Sequence, residues 1–322
     1  MSTGTNLWLG VSTRQFIQSK TGYRRRKLSN AVMMGVTGLF TLLALVPLFW
    51  IIGYVMYKGG QYISLDFFIH LPRPLGMAGG GVLNAIEGTL ILTVLAGLFA
   101  IPPGILAAYY VAYKPTSFLG IIVRFGTDVL SGVPSIVIGL FCYALIVKIQ
   151  GHYSALAGGI ALAILMLPTI IRTTEEMIKL VPHSLREGSL ALGSPEWKTA
   201  LSVTLPAASQ GIITGILLGI ARASGETAPL LFTALGNDNY DIGKIIQNGV
   251  ASHQNIFNLL GSIINQPVDS LPLTLWKYAQ QPYPERINQA WAAALVLMIV
   301  VLSINILTRV WIQARANRMQ GK

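Results

Sequence analysis

The run EGTLILTVLAGLFAIPPGILAAYYVAYK, residues 87–114, carries no charge between its two ends. A helix rises 1.5 Å per residue, so ~20 apolar residues cross the hydrocarbon of a bilayer, and this run exceeds that length. It lacks the strict alternation of a barrel strand. Five further runs between charges read the same way: 27–58, 128–148, 148–172, 198–235 and 286–309. Inside lipid the backbone must satisfy its own hydrogen bonds, so such runs are helices. The expectation is an all-α integral membrane protein with six transmembrane helices.

Composition agrees. Of 322 residues, 53% are hydrophobic and 11% charged, where soluble proteins carry about 25% charged residues. Mean hydropathy is +0.60. So few charges cannot cover the outside of soluble domains, and disordered chains are charge-rich rather than apolar. The first apolar run is far longer than a signal peptide core, which makes it an uncleaved anchor.

The net charge is +11, from 23 Lys and Arg against 12 Asp and Glu. In a soluble protein that surplus would point to nucleic acid; in a membrane protein the positive-inside bias accounts for it, and no nucleic-acid partner is expected. With the amino terminus inside, sixteen Lys and Arg fall on the cytoplasmic side and six on the other, with Arg222 inside a span. Both termini are therefore expected in the cytoplasm. Residues 1–29 form a basic tail, 30–312 the six-span domain and 313–322 a second tail. In the first tail, Leu7, Trp8, Leu9, Phe16 and Ile17 precede the basic run. An interfacial helix on membrane lipid and a solvated tail both fit them.

Enzyme chemistry finds no support. The single cysteine, Cys142, has no partner for a disulfide or a metal, and His70, His152, His183 and His253 are scattered without metal spacing. No cofactor is expected.

Between the fourth and fifth runs, residues 173–205 read as a helical cytoplasmic segment. His183-Ser184-Leu185-Arg186-Glu187-Gly188-Ser189-Leu190-Ala191-Leu192-Gly193 leads into Ser194-Pro195-Glu196. Ser194 before Pro195 is a helix-start signal, so two short helices should meet at Gly193. Taken alone, this elbow fits an interfacial helix or a docking knob for a partner.

The elbow also carries a resemblance. Permease subunits of ABC importers share a loop of the form E-A-A-x-x-x-G, nine residues, then I-x-L-P. Here Glu187, Gly193, Val203, Leu205 and Pro206 stand at that spacing, with Gly188 and Ser189 in place of the alanines and Val203 in place of Ile. Ile171-Arg172-Thr173-Thr174-Glu175, Pro134-Ser135-Ile136-Val137, Gly79-Gly80-Gly81 and Gly225-Glu226-Thr227-Ala228-Pro229-Leu230-Leu231 narrow it further. The chain resembles the phosphate-specific ABC importer permeases of the PstA type over about residues 30–312. That resemblance implies a type I importer, MetI-like fold with a cytoplasmic coupling helix, in the bacterial cytoplasmic (inner) membrane. It implies a second homologous permease subunit, an ABC ATPase dimer docked on the elbows, and a soluble phosphate-binding protein that delivers inorganic phosphate. Glu187 and Gly193 become coupling residues. No G-x-x-x-x-G-K-[ST] loop occurs, so ATP is left to another chain.

A charge at mid-bilayer costs roughly 2.5–3.5 kcal/mol on insertion scales and needs a reason. Arg222 and Glu226 stand four apart in the fifth run. On a continuous helix they would share one stripe with Gly211, Gly215, Gly219 and Pro229, a small face that lets another helix approach. The residues alone allow two readings: mutual neutralisation, or a guanidinium offered to a tetrahedral oxyanion with Glu226 as its alternative partner. Family resemblance favours the second. Arg172, after Pro168, is a further pathway residue. Arg124 with Asp128 and Arg172 with Glu176 repeat the four-residue spacing, and for Arg124 the positive-inside bias suffices. Ser131, Gly132, Pro134 and Ser135 form a small polar patch that loosens its helix, lines the path or simply packs, the last slightly favoured.

Two rivals remain. One is an ABC importer permease for another oxyanion, such as phosphonate, sulfate or molybdate. The other is a secondary transporter or channel without an ATPase, which would need inverted repeats and discontinuous helices that the sequence does not clearly show, and which leaves the elbow unexplained. A membrane-embedded signalling scaffold is neither favoured nor excluded by the residues.

Overall fold

The computed structural model describes residues 20–320 apart from 75, 76 and 78. The apolar positions Leu7, Trp8, Leu9, Phe16 and Ile17 of the amino-terminal tail lie outside the described residues. Among the described residues all regular structure is helical, and strand-like pairing is limited to the isolated bridges Pro72–Gly80 and Leu235–Val268.

The chain divides into two units, Met1–Met56 and Tyr57–Lys322. The first is described by helix α1 (Lys20–Gly60), which contains Pro47 and is apolar all round beyond its basic first turns. A helix without a polar face suits a lipid surround.

In the second unit, the short α2 (Leu65–Ile69) leads to α3 (Leu83–Tyr113), the helix built from the run at 87–114. Then come α4 (Phe118–Gly132), α5 (Ser135–Cys142), a π-turn at Tyr143–Val147 and α6 (Lys148–Gln150). Helix α7 (Ala155–Lys179) follows, then the elbow helices α8 (His183–Ala191) and α9 (Glu196–Thr199). A π-turn at Ala200–Thr204 joins α9 to α10 (Leu205–Ser224), and α11 (Ala228–Thr233) closes that region. The remaining helices are α12 (Ile242–Ala251), α13 (Ile256–Ile264), α14 (Leu271–Ala279) and α15 (Pro284–Gln320).

Among the described residues, five helices are long and apolar enough to cross a membrane: Tyr23–Gly60, Leu83–Tyr113, Ala155–Lys179, Glu196–Ser224 and Pro284–Ile306. A bent pair, Phe118–Gly132 with Ser135–Gln150, whose axes meet at 109°, brings the count to six if it is taken as one span. The expected straight helix at 128–148 is therefore corrected. The small polar patch is the break itself. Thr127 Oγ1 donates to Val123 O and Ser131 Oγ to Thr127 O, each at 2.7 Å, a side-chain competition that loosens a helix. Pro134 then removes a backbone donor and turns the chain.

Helix α7 is the hub, with 67% of its apolar window buried, and it packs against α3, α4, α5, α10 and α11. Glycine sets the closest approaches. A Cβ on Gly158 would lie 2.7 Å from Leu92, one on Gly159 2.6 Å from Leu95, and one on Gly104 2.9 Å from Ile170. These pairings run in one sense, so α3 and α7 are parallel. Helix α10 runs the other way, with Gly211 against Met177, Gly215 against Thr173 and Gly219 near Ile170. The glycine face expected on the fifth span thus receives α7.

A polar network pins the loops beyond the start of α3. Asn84 Nδ2 donates to Asn237 O at 3.0 Å, and Lys277 Nζ bridges Asp238 and the fully buried Asp269 at 2.9 and 2.5 Å. Ile242 N donates to Glu87 Oε2 at 2.9 Å, seating the start of α12 against α3. Asp241 caps α12 by accepting from Lys244 N at 3.0 Å. That amide bond, aided by the Lys244 ammonium, holds the Asp241 carboxyl below the usual carboxylate range.

Candidate functional site

The fifth apolar run, 198–235, is not one continuous helix either. Helix α10 ends at Ser224, Gly225 caps it, and Glu226 and Thr227 form a non-helical link to α11. The expected continuation of the glycine stripe through Glu226 and Pro229 is therefore corrected, because the helix stops two residues after Arg222, at Ser224. The two charges still meet: Arg222 Nε and Glu226 Oε1 are 3.7 Å apart, with side chains 51% and 20% exposed. At that distance they form an ion pair rather than a hydrogen bond. About half of the Arg222 side chain is thus left uncovered within this chain.

The two breaks lie together. A Cβ on Gly139 of α5 would fall 2.6 Å from Pro229 Cα of α11, so these short helices touch backbone to backbone. Thr93 on α3 and Ser224 at the end of α10 approach at 3.4 Å through their hydroxyls. Irregular backbone at membrane depth is tolerated where protein buries it or where it lines a cavity. Among the described residues, helix is thus interrupted within two of the apolar runs, at Val133-Pro134 and at Gly225-Glu226-Thr227.

Nearer the elbow lies a second charged group. The spacing had paired Arg124 with Asp128 and Arg172 with Glu176 along their own helices. The structure crosses them between helices instead. Arg124 Nη2 of α4 reaches Glu175 Oε1 of α7 at 2.5 Å, and Arg172 of α7 pairs with Asp128 of α4. Lys179 Nζ also lies 2.5 Å from Glu175 Oε1. Glu176 is exposed and takes no part in these pairs. Arg124, Thr127, Asp128, Ile171, Arg172 and Glu175 line a half-open cavity of about 130 Å³. Asp128 and Glu175 were missed as members of this group. The available signal was two complementary faces: Arg124 and Asp128 one turn apart on α4, Arg172 and Glu175 one turn apart on α7.

The elbow holds Glu187 and Gly193. Gly193 adopts φ +84°, a left-handed conformation that costs other residues roughly 1–2 kcal/mol. Gly193 N donates to Leu190 O at 2.9 Å and Ser194 N to Ser189 O at 3.2 Å. This double bond pattern closes the carboxyl end of α8 and turns the chain into α9. Ser194 is not the cap of α9, as its position suggested; Pro195 stands there. Ser189 and Thr199 hydroxyls meet at 2.9 Å, and Arg186 lies 3.4 Å from Glu196, so the two helices are cross-tied. Arg186 also stacks over the ring of Tyr113, the last residue of α3, at 4.6 Å. Glu187 is exposed on α8.

The site thus consists of three parts. The structure brings Arg222 together with Glu226 and leaves Arg172 with Asp128 in a separate group. Glu187 and Gly193 lie apart from both, on the elbow that continues from α7.

Comparison with known proteins matches residues 100–320 to the family described as binding-protein-dependent transport system inner membrane component. The phosphate transport system permease protein PstA of Yersinia pestis is 41% identical over 91% of this chain and 92% of its own length. PstA of Haemophilus influenzae is 38% identical over 89% and 95%. PstA 1 of Mycobacterium tuberculosis is 36% identical over 88% of each chain. Among solved structures, the MetNI methionine ABC transporter, in an inward-facing conformation, aligns with TM-score 0.54 at 18% identity over 72% of this chain and 95% of that one. A bacterial ABC transporter that imports alginate aligns with TM-score 0.50 at 15% identity over 91% and 98%. At such identities the structures speak for the fold alone.

Proposed function

Since this chain belongs to the binding-protein-dependent transport system inner membrane components, and among them to the PstA-type phosphate permeases, we propose that it forms half of a pore admitting inorganic phosphate to the cell. A second, homologous permease subunit completes the pore. A pair of ABC ATPases seats on the elbows, and a soluble phosphate-binding protein delivers substrate from outside. The chain itself is the transport subunit and hydrolyses no ATP. It lies in the bacterial cytoplasmic membrane with both termini inside. Residues 30–312 are the permease domain, 173–205 its coupling segment, and 1–29 and 313–322 its tails.

The observation that carries this reading is the half-exposed Arg222 side chain near the end of α10, with Glu226 3.7 Å away. A guanidinium fits tetrahedral oxyanions through paired N–H donors, and a nearby carboxylate lets it exchange partners rather than trap its ligand. Arg172, paired with the well-exposed Asp128, is the second pathway residue. Closure of the ATPases moves the elbow, where Glu187 meets the ATPase groove and the Gly193 turn sets the angle between α8 and α9. Because α8 follows α7 after three residues, that movement enters the hub helix directly.

Discontinuous helices alone would also fit a secondary transporter. The elbow and the kinship with ABC permeases favour the ATP-driven machine. The test is phosphate-dependent ATP hydrolysis by the chain purified with its partners. Co-purification of an ATPase stimulated by phosphate and its binding protein is expected. Absence of any such ATPase would contradict the reading.

A further inference from the structure

The crossed charges between α4 and α7 do more than join two helices. We infer that Arg124 and Arg172 form a second oxyanion station on the cytoplasmic side of Arg222, with Glu175 and Asp128 as displaceable counter-ions. This rests on the phosphate-import reading and extends it to a group whose Arg124 had looked like a topology charge.

Three observations support it. First, the four side chains, paired as Arg124 with Glu175 and Arg172 with Asp128, together line a half-open cavity of about 130 Å³. Each guanidinium has five N–H donors, and one carboxylate engages two at most, so donors remain for a tetrahedral anion.

Second, either carboxylate can release its arginine without being stranded. Glu175 is only 11% exposed, but Lys179 Nζ lies 2.5 Å from the same oxygen and keeps it paired. Asp128 is 57% exposed, so water receives it when Arg172 turns away. A purely structural buried pair has no such provision, since parting it leaves an uncompensated charge.

Third, the register places the group along the path. With Gly211 against Met177 and Gly215 against Thr173, Arg222 stands level with about Met166 of α7. That is six residues from Arg172, or about 9 Å along the helix axis toward the elbow end. An anion leaving Arg222 inward meets this group next.

The two carboxylates make it a station for release. The anion is held only while it outcompetes Asp128 and Glu175, and their return expels it. Entry from outside is governed by Arg222, exit by this group.

The experiment measures uptake of labelled inorganic phosphate by membrane vesicles containing the assembled transporter. It compares Arg124→Gln/Glu175→Gln, which removes both charges, and Arg124→Lys, which keeps a cation but loses the planar fork. Both are expected to lower the maximal rate about tenfold while KM for external phosphate stays within about twofold, the sign of a step after entry. A structural pair predicts the opposite for Arg124→Lys, because lysine still pairs with Glu175. A wild-type maximal rate in the double variant overturns the station, as does a KM that rises in step with the loss. If the double variant fails to accumulate, Arg124→Lys decides by the same criteria. The wild-type vesicles separate the two readings. If they take up sulfate or molybdate instead of phosphate, the phosphate assignment fails, and the variants are scored with the anion transported.

Discussion

Arg124 on α4 reaches past Asp128, one turn away on its own helix, to place Nη2 2.5 Å from Glu175 Oε1 on α7. Arg172 on α7 makes the reverse crossing to Asp128. The inner arm of the bent span is thereby tied to the helix that runs into the elbow. A movement of α8 reaches these pairs through a single continuous helix, α7. The same helix carries the glycine contacts of α10, at whose end Arg222 stands.

Glu226 sets how long Arg222 holds an anion. In Glu226→Gln the competing carboxylate is gone, so phosphate should bind more tightly and leave more slowly. Uptake kinetics should show KM and the maximal rate falling together, the pattern of a ground state made too stable. Unchanged kinetics would remove Glu226 from the pathway.

Gly193 turns the elbow at φ +84°, and a side chain there costs roughly 1–2 kcal/mol. Gly193→Ala should therefore distort the link between α8 and α9, weaken co-purification of the ATPase and lower phosphate uptake. Gly188→Ala, where an added Cβ meets nothing within 4 Å and the backbone is helical, should leave α8 intact. Equal retention of the ATPase by wild type and Gly193→Ala would separate the turn from coupling.

Lys277 neutralises the fully buried Asp269 at 2.5 Å. Lys277→Ala leaves that carboxylate unpaired and should cost about 3–5 kcal/mol, seen as a lower melting temperature in detergent. Asp269→Asn in the same chain should recover much of the loss. Failure of the second change to restore stability would mean that Lys277 acts through something other than this pair.

Asp241 caps α12 with a carboxyl held below its usual range by the Lys244 amide. A depressed value means that the cap contributes in full above the ordinary carboxylate pKa and is lost as pH falls through the lowered one. Hydrogen exchange in α12 should accelerate in that acid window. Asp241→Asn, an equally good cap, should abolish the dependence, whereas Asp241→Ala should cost about 1 kcal/mol near neutral pH, a cost that shrinks in the acid window where the wild type loses its own cap. Acid fraying that persists in the Asn variant would place its origin elsewhere.

Run length and composition made the six spans legible, because a bilayer demands long apolar segments whatever their neighbours. The elbow was legible through Gly193 and the Pro195 that follows. The two breaks were not, since Gly132-Val133-Pro134 and Gly225-Glu226-Thr227 sit inside apolar runs whose length alone suggests continuity. The pairing of Arg124 and Arg172 was hidden for a different reason. Spacing along one helix offers only partners at three or four residues, while the chosen partners are 51 and 44 positions away. The Asn84, Asp269 and Lys277 network lies in segments between the long apolar runs, where run length says nothing of partners. Its register depends on how α3 and α14 meet.

The most direct test is ATP-driven uptake of labelled phosphate into vesicles carrying the assembled transporter, with wild-type chain and with Arg222→Ala. Uptake that requires ATP and the binding protein in the wild type, and is lost in Arg222→Ala at normal subunit levels, is the predicted result. Phosphate transport at the wild-type rate by the Arg222→Ala chain would contradict the account.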